Sequence, residues 1–102
     1  MDHPLSATTR LAAVIGDPIR HSLSPAIMNA AFQTAAIDWA FVAFAIPAGR
    51  AVPALEAARV LGIGGLSVTM PHKSDIAHAV DELTSVAAHL DAVNCVIFDG
   101  AR

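Results

Sequence analysis

Leu11-Ala12-Ala13-Val14-Ile15-Gly16 runs without a charged residue into Asp17-Pro18, and a short loop later Ser24-Pro25 opens a stretch in which Ile27, Ala30, Ala31 and Ala35 recur at helical spacing. The first run is short, apolar and closed by a turn signal, which is the pattern of a buried strand. In the second, a hydroxyl residue at the N-cap and a proline at the first helical position predict a helix over Pro25–Ala35. A buried strand that passes through a loop into a helix is the first half of a β-α-β unit. The rest of the chain has to be tested for its repetition.

The alternation continues. Trp39–Ile46 is aromatic and β-branched and reads as a second strand, ended by Pro47-Ala48-Gly49. Arg50–Val60 places Val52, Leu55 and Ala58 or Arg59 on one helical face, with Gly62 as its C-terminal stop. Leu66–Thr69 is a third strand, stopped by Pro71. Short helices over Lys73–Ala79 and Asp81–His89 follow, then a last strand over Ala92–Phe98 and a turn signal at Asp99-Gly100. Strands alternating with helices predict an α/β domain: a mostly parallel sheet flanked by helices on both faces, in three α/β/α layers. Ligands of such sheets bind beyond the carboxyl ends of the strands, so the segments after the first, third and last strands are expected to converge there.

Length and composition fit one domain. The chain has 102 residues, 55% of them hydrophobic and 15% charged, which predicts a compact, heavily buried fold with no room for a second core. Residues 1–10 are expected to be a flexible polar tail and residues 11–102 the domain. Net charge is −3, and the Lys and Arg residues are scattered, so no electrostatic footprint for nucleic acid is present. Arg50, Glu56 and Arg59 interrupt the most apolar stretch, which leaves no run of the roughly 20 apolar residues that a membrane helix needs. The first ten residues lack the layout of a secretion signal. Cys95 is the single cysteine and has no disulfide or metal partner in the sequence, so a reducing compartment is expected, with the cytoplasm as default.

Three segments could carry chemistry. His21-Ser22-Leu23-Ser24-Pro25 sets two hydroxyls at the mouth of a helix N-terminus, where backbone N–H groups and the dipole favour an anion such as a carboxylate. Taken alone, the same residues also read as a plain helix cap with a solvated loop serine. In Ser67-Val68-Thr69-Met70-Pro71-His72-Lys73, the strand turns at the proline and leaves Lys73 near a helix start. Partial burial and the helix dipole both disfavour an ammonium there and would suit it to general acid/base work. A solvated surface lysine is the alternative, but Lys73 is the only lysine of the chain. Asn94, an amide in an otherwise apolar strand, needs hydrogen-bond partners, which a polyhydroxylated ligand or a backbone group would supply. Cys95 beside it reads as a small hydrophobe. His72 and His78 are six residues apart and give no metal site. Gly62-Ile63-Gly64-Gly65 follows a helix and precedes a strand, the reverse of a dinucleotide loop.

In this order, Gly16-Asp17-Pro18-Ile19-Arg20-His21-Ser22-Leu23-Ser24-Pro25, Gly65-Leu66-Ser67-Val68-Thr69-Met70-Pro71-His72-Lys73, Asp81-Glu82-Leu83-Thr84 and Ala92-Val93-Asn94 resemble the signature of the shikimate dehydrogenase family. The resemblance runs from Leu11 to Gly100 and implies the substrate-binding domain that in this family precedes an NADP-binding Rossmann domain. It implies that Ser22 and Ser24 hold the shikimate carboxylate, that Thr69, Lys73 and Asn94 contact the ring hydroxyls, and that Lys73 moves a proton. Ser67 stands where many members carry asparagine. The family's Asn-Thr-Asp segment, whose aspartate partners the lysine, would follow Arg102.

The expectation is therefore a domain of an NADP-dependent enzyme of aromatic amino-acid biosynthesis that interconverts 3-dehydroshikimate and shikimate. NADP would be bound by a C-terminal domain, with no cofactor held by this chain and no turnover by it alone. Two alternatives stand beside it: a non-catalytic module binding shikimate or quinate, and a domain that self-associates through an uncovered sheet edge.

Overall fold

The structure is a computed structural model that describes residues 5–80 and 94–98. Strand β1 (Arg10–Gly16) leads to helix α1 (Ser24–Thr34), strand β2 (Trp39–Ala45), helix α2 (Ala51–Leu61), strand β3 (Gly65–Val68), helix α3 (Lys73–Ala77) and strand β4 (Cys95–Ile97). The helix expected over Asp81–His89 and the turn at Asp99-Gly100 lie outside the described residues. Strand order is β2-β1-β3-β4. Both β2 and β3 run parallel to β1, whereas β4 runs antiparallel to β3.

This order accounts for the layers. The chain leaves β1 toward β2 on one side and then crosses back over β1 to reach β3 on the other. Crossovers of one hand in opposite directions place their helices on opposite faces. Side chains alternate accordingly. Ala13, Ile15, Leu66, Val68 and Val96 pack with Leu55 and Ala58 of α2 and with Ile76 and Ala77 of α3. Ala12, Val14 and Phe41 face the other way, with Ile19 and with Met28 and Phe32 of α1. Ile15, Leu55 and Ile76 are the largest fully buried apolar side chains, and each contributes about 1.5–3 kcal/mol from burial.

Two local devices complete the frame. Gly62 ends α2 in the left-handed conformation at φ 74°, which a side chain would disfavour, so this glycine turns the chain directly toward β3. Asn29 of α1 reaches the outer edge of β2, where its amide donates to the Phe41 carbonyl (2.8 Å) and its carbonyl accepts from the Phe41 N–H (2.8 Å). Within the expected N-terminal tail, Thr8 and Thr9 donate hydroxyl hydrogen bonds to Asp38 at 2.6 and 2.8 Å, and β1 already begins at Arg10.

The direction of β4 corrects one expectation. Because β4 is antiparallel, the segment that precedes it, not the one that follows, lies beside the carboxyl end of β3. The Val68 N–H accordingly donates to the Asn94 carbonyl at 2.8 Å.

Candidate functional site

The carboxyl ends of β1, β2 and β3 are knitted together by backbone hydrogen bonds. Thr69 N–H donates to the Ile15 carbonyl (3.0 Å), Asp17 N–H to Met70 (3.0 Å) and Ile46 N–H to Gly16 (3.0 Å). The loops after β1 and β3 are thereby held side by side. Between them opens a cleft of about 430 Å³, lined by residues that include Ser22, Ser24, Ser67, Thr69 and His21. That volume falls in the range of small-molecule sites, about 300–1,000 Å³. Part of its lining is apolar, with Val14 and Ile19 on the α1 face of the sheet.

The serine loop is built differently from a simple capped helix. The N-cap position belongs to Leu23, which makes no side-chain cap, and Ser24 is the first helical residue. Ser22 supplies the missing acceptor: its Oγ takes the Ser24 N–H at 3.2 Å. Ser24 is therefore not the cap that its place before a proline predicts: it lies one residue inside the helix, with its own N–H held by the loop hydroxyl two residues earlier. Pro25 has no N–H to offer. The helix mouth is thus poorer in free backbone donors than the sequence implies, and the hydroxyls take over. A hydroxyl that accepts through a lone pair keeps its own proton to donate, so Ser22 can accept from the backbone and donate to an anion at once. The Ser24 hydroxyl makes no hydrogen bond to the described residues and is open to the cleft.

Thr69, Lys73 and Asn94 complete the set of expected residues. Thr69 lines the cleft. Lys73 is half-buried at the first position of α3, four residues further on, and is not among the residues that line the cleft. Among the described residues it makes no ion pair. Asn94 is exposed, immediately before β4, and its carbonyl bond to Val68 sets it one strand spacing from the start of the Thr69 turn. The structure thus gathers Ser22, Ser24 and Thr69 around one cleft, and Lys73 and Asn94 are not among the residues that line it.

His72 was read from the sequence only as a rejected metal ligand. It is completely buried, at 0% exposure. Its Nε2 lies 2.7 Å from the Ile46 carbonyl oxygen, which can only accept, so the ring proton sits on Nε2. Nδ1 is buried with no partner among the described residues. No pattern in the sequence marks this contact, since Ile46 is 26 residues away.

Among the described residues no group of three or more His, Cys, Asp or Glu side chains could hold a metal ion, and no helix is long and apolar enough to cross a membrane. Gly62–Gly65 is a helix-to-strand turn, as its order in the sequence implies, and the strand-to-helix turns carry no glycine-rich cradle. The described residues thus offer no glycine-rich cradle for a dinucleotide.

Residues 14–96 match the family model of the shikimate dehydrogenase substrate binding domain. The chain is 45% identical over 91 residues to the NADP(+) shikimate dehydrogenase of Thermococcus kodakarensis, which covers 89% of this chain and 34% of that protein. Among solved structures it resembles shikimate 5-dehydrogenase of Listeria monocytogenes in complex with shikimate and NAD, with a TM-score of 0.91 and 33% identity over 95% of this chain and 34% of that one. It also resembles the Thermus thermophilus enzyme in complex with NADP(H) and shikimate, with a TM-score of 0.87 and 28% identity over 92% of this chain and 36% of that one. The chain spans about a third of the length of the curated relatives it matches.

Proposed function

The chain belongs to the family of shikimate dehydrogenase substrate-binding domains, and on that premise we propose that it binds shikimate and 3-dehydroshikimate in the cleft between the β1–α1 and β3–α3 loops. The observation that carries this reading is the gathering of Ser22, Ser24 and Thr69 around one cleft at the carboxyl ends of β1 and β3. Ser22 and Ser24 hold the carboxylate through two hydroxyl donors. Thr69, Lys73 and Asn94 take the ring hydroxyls. Quinate shares the carboxylate and hydroxyls and is a second ligand of the same site.

The reaction proposed for the whole protein is the NADP-dependent interconversion of 3-dehydroshikimate and shikimate, in the cytoplasm. Reduction of a ketone to an alcohol needs a hydride at carbon and a proton at oxygen. The hydride is what the reduced nicotinamide supplies, and the described residues do not cradle one. The proton is the part that this chain contributes. Lys73 as an ammonium donates it to the oxygen as negative charge develops there, and the neutral amine takes it back in the reverse direction.

Titration calorimetry of the 102-residue chain with shikimate tests the proposal. Saturable binding that is weakened in Lys73→Ala is expected, and a flat titration of the wild-type chain rejects it. A coupled absorbance assay with NADPH and 3-dehydroshikimate is expected to show no turnover by this chain alone.

Surface exposure favours a second reading, self-association. Ile97 on β4 is 78% exposed, and Val60 and Leu61 at the end of α2 are exposed as well. Light scattering across a dilution series decides it, and a monomer at every concentration rejects it.

A further inference from the structure

We infer that His72 is a positioning residue, which acts through the β3–α3 turn to set the place of Lys73; the inference rests on the reading of Lys73 as a site residue. A fully buried imidazole with one nitrogen unpartnered among the described residues is a poor filler for an apolar core, since an apolar side chain of similar shape would leave no polar atom unsatisfied. What the imidazole provides is a directional bond. Its Nε2–H grips the Ile46 carbonyl just beyond β2. The N–H of the same Ile46 donates to Gly16 at the end of β1. The peptide groups on either side of His72 are tied as well, His72 N–H to the Thr69 carbonyl at 3.1 Å and the His72 carbonyl to Ile76 N–H at 3.0 Å. One side chain therefore couples the ends of β1 and β2 to the turn that carries Thr69 and Lys73. Without it, the turn keeps the backbone bonds of Thr69 and Met70 to the β1 side and the core packing of Ile76 and Ala77, but loses, next to the residue that carries Nζ, its side-chain tie to the end of β2.

The chain provides its own reporter, because Lys73 is its only lysine. Reductive ¹³C-methylation gives one lysine signal, separate from that of the terminal amine, and its chemical shift reports the surroundings of Nζ without any ligand. His72→Phe keeps a planar ring and removes the donor, whereas His72→Gln restores an N–H at similar reach. For His72→Phe, with the fold verified by circular dichroism, the lysine signal is expected to move toward its position in the denatured chain and the Kd for shikimate to rise about fivefold to tenfold, the equivalent of one hydrogen bond. His72→Gln is expected to return both readouts toward wild type. A folded His72→Phe with both readouts unchanged overturns the inference, as does a folded His72→Gln that loses both. If His72→Phe does not fold, His72→Met takes its place under the same criteria. Absence of shikimate binding by the wild-type chain counts against the proposed function, and the ligand-free lysine signal still decides the role of His72.

Discussion

Gly16 and Thr69 approach so closely that no β-carbon fits between them. A methyl group on Gly16 would run into Thr69 Cγ2 and would stand 3.2 Å from both Ile19 Cδ1 and the Met70 carbonyl oxygen. This is the point where the loop after β1 meets the turn after β3, flanked by the Thr69–Ile15 and Asp17–Met70 hydrogen bonds. The serine loop and the lysine turn can share one cleft because the residue between them has no side chain.

Gly16→Ala should therefore separate the two loops. Overpacking at a tight position costs about 1–3 kcal/mol, and the threonine methyl and the Met70 carbonyl would have to give way. Thermal unfolding is expected to show that loss, together with weaker shikimate binding by calorimetry. Wild-type stability and affinity in this variant would mean that the loops have slack and that the close approach is incidental.

Asn29→Ala removes both hydrogen bonds to Phe41 on the outer edge of β2. The amide is only partly buried, so water replaces part of the loss and the cost is about 1 kcal/mol. The sharper readout is hydrogen exchange at the Phe41 amide, which should accelerate more than that of Leu66 in the interior of the sheet. Equal acceleration at both would point to global destabilisation in place of an uncovered edge.

Much of this architecture was legible in the sequence, for identifiable reasons. Gly62 marks the end of α2 because its left-handed backbone penalises any other residue, so the local signal and the structural need coincide. The uninterrupted apolar run Leu11–Ile15 marked β1 as a central strand, since a strand covered on both faces has to be apolar throughout. The direction of β4 was not legible, because Val96 and its neighbours have the same pattern read either way. Nor was the Ser24 backbone bond to Ser22, where Ser-x-Ser-Pro allows either hydroxyl to be the acceptor. The contacts of Asn29 and His72 were hidden for another reason. Both grip backbone carbonyls far along the chain, and a backbone carbonyl leaves no trace in residue identity.

Leu55→Ala separates stability from the site. Leu55 is buried at 1% exposure among α2, α3 and the sheet, on the face opposite α1 and the serine loop. The cavity left behind should cost about 2–5 kcal/mol in chemical denaturation. Shikimate affinity of the fraction that remains folded should not change. A large change in that affinity would show that α2 packing, and not the loops alone, shapes the cleft.

Ser22→Ala and Ser24→Ala are predicted to differ, although both delete one hydroxyl. Ser24 offers the cleft a donor and makes no hydrogen bond to the described residues, so its loss should remove one hydrogen bond to the carboxylate of the proposed ligand. Charge-assisted bonds of that kind are worth about 1.5–3 kcal/mol, roughly tenfold to a hundredfold in Kd. Ser22 has two tasks, since its Oγ also accepts the Ser24 N–H. Its removal deletes a donor to the ligand and releases the helix mouth, so Ser22→Ala should lower the melting temperature as well as the affinity, and Ser24→Ala the affinity alone. Calorimetry with shikimate and with its methyl ester checks the assignment. The ester carries no negative charge, so most of the difference between wild type and either variant should vanish with it. An undiminished difference would place the serines on the ring hydroxyls and turn the ligand around in the cleft.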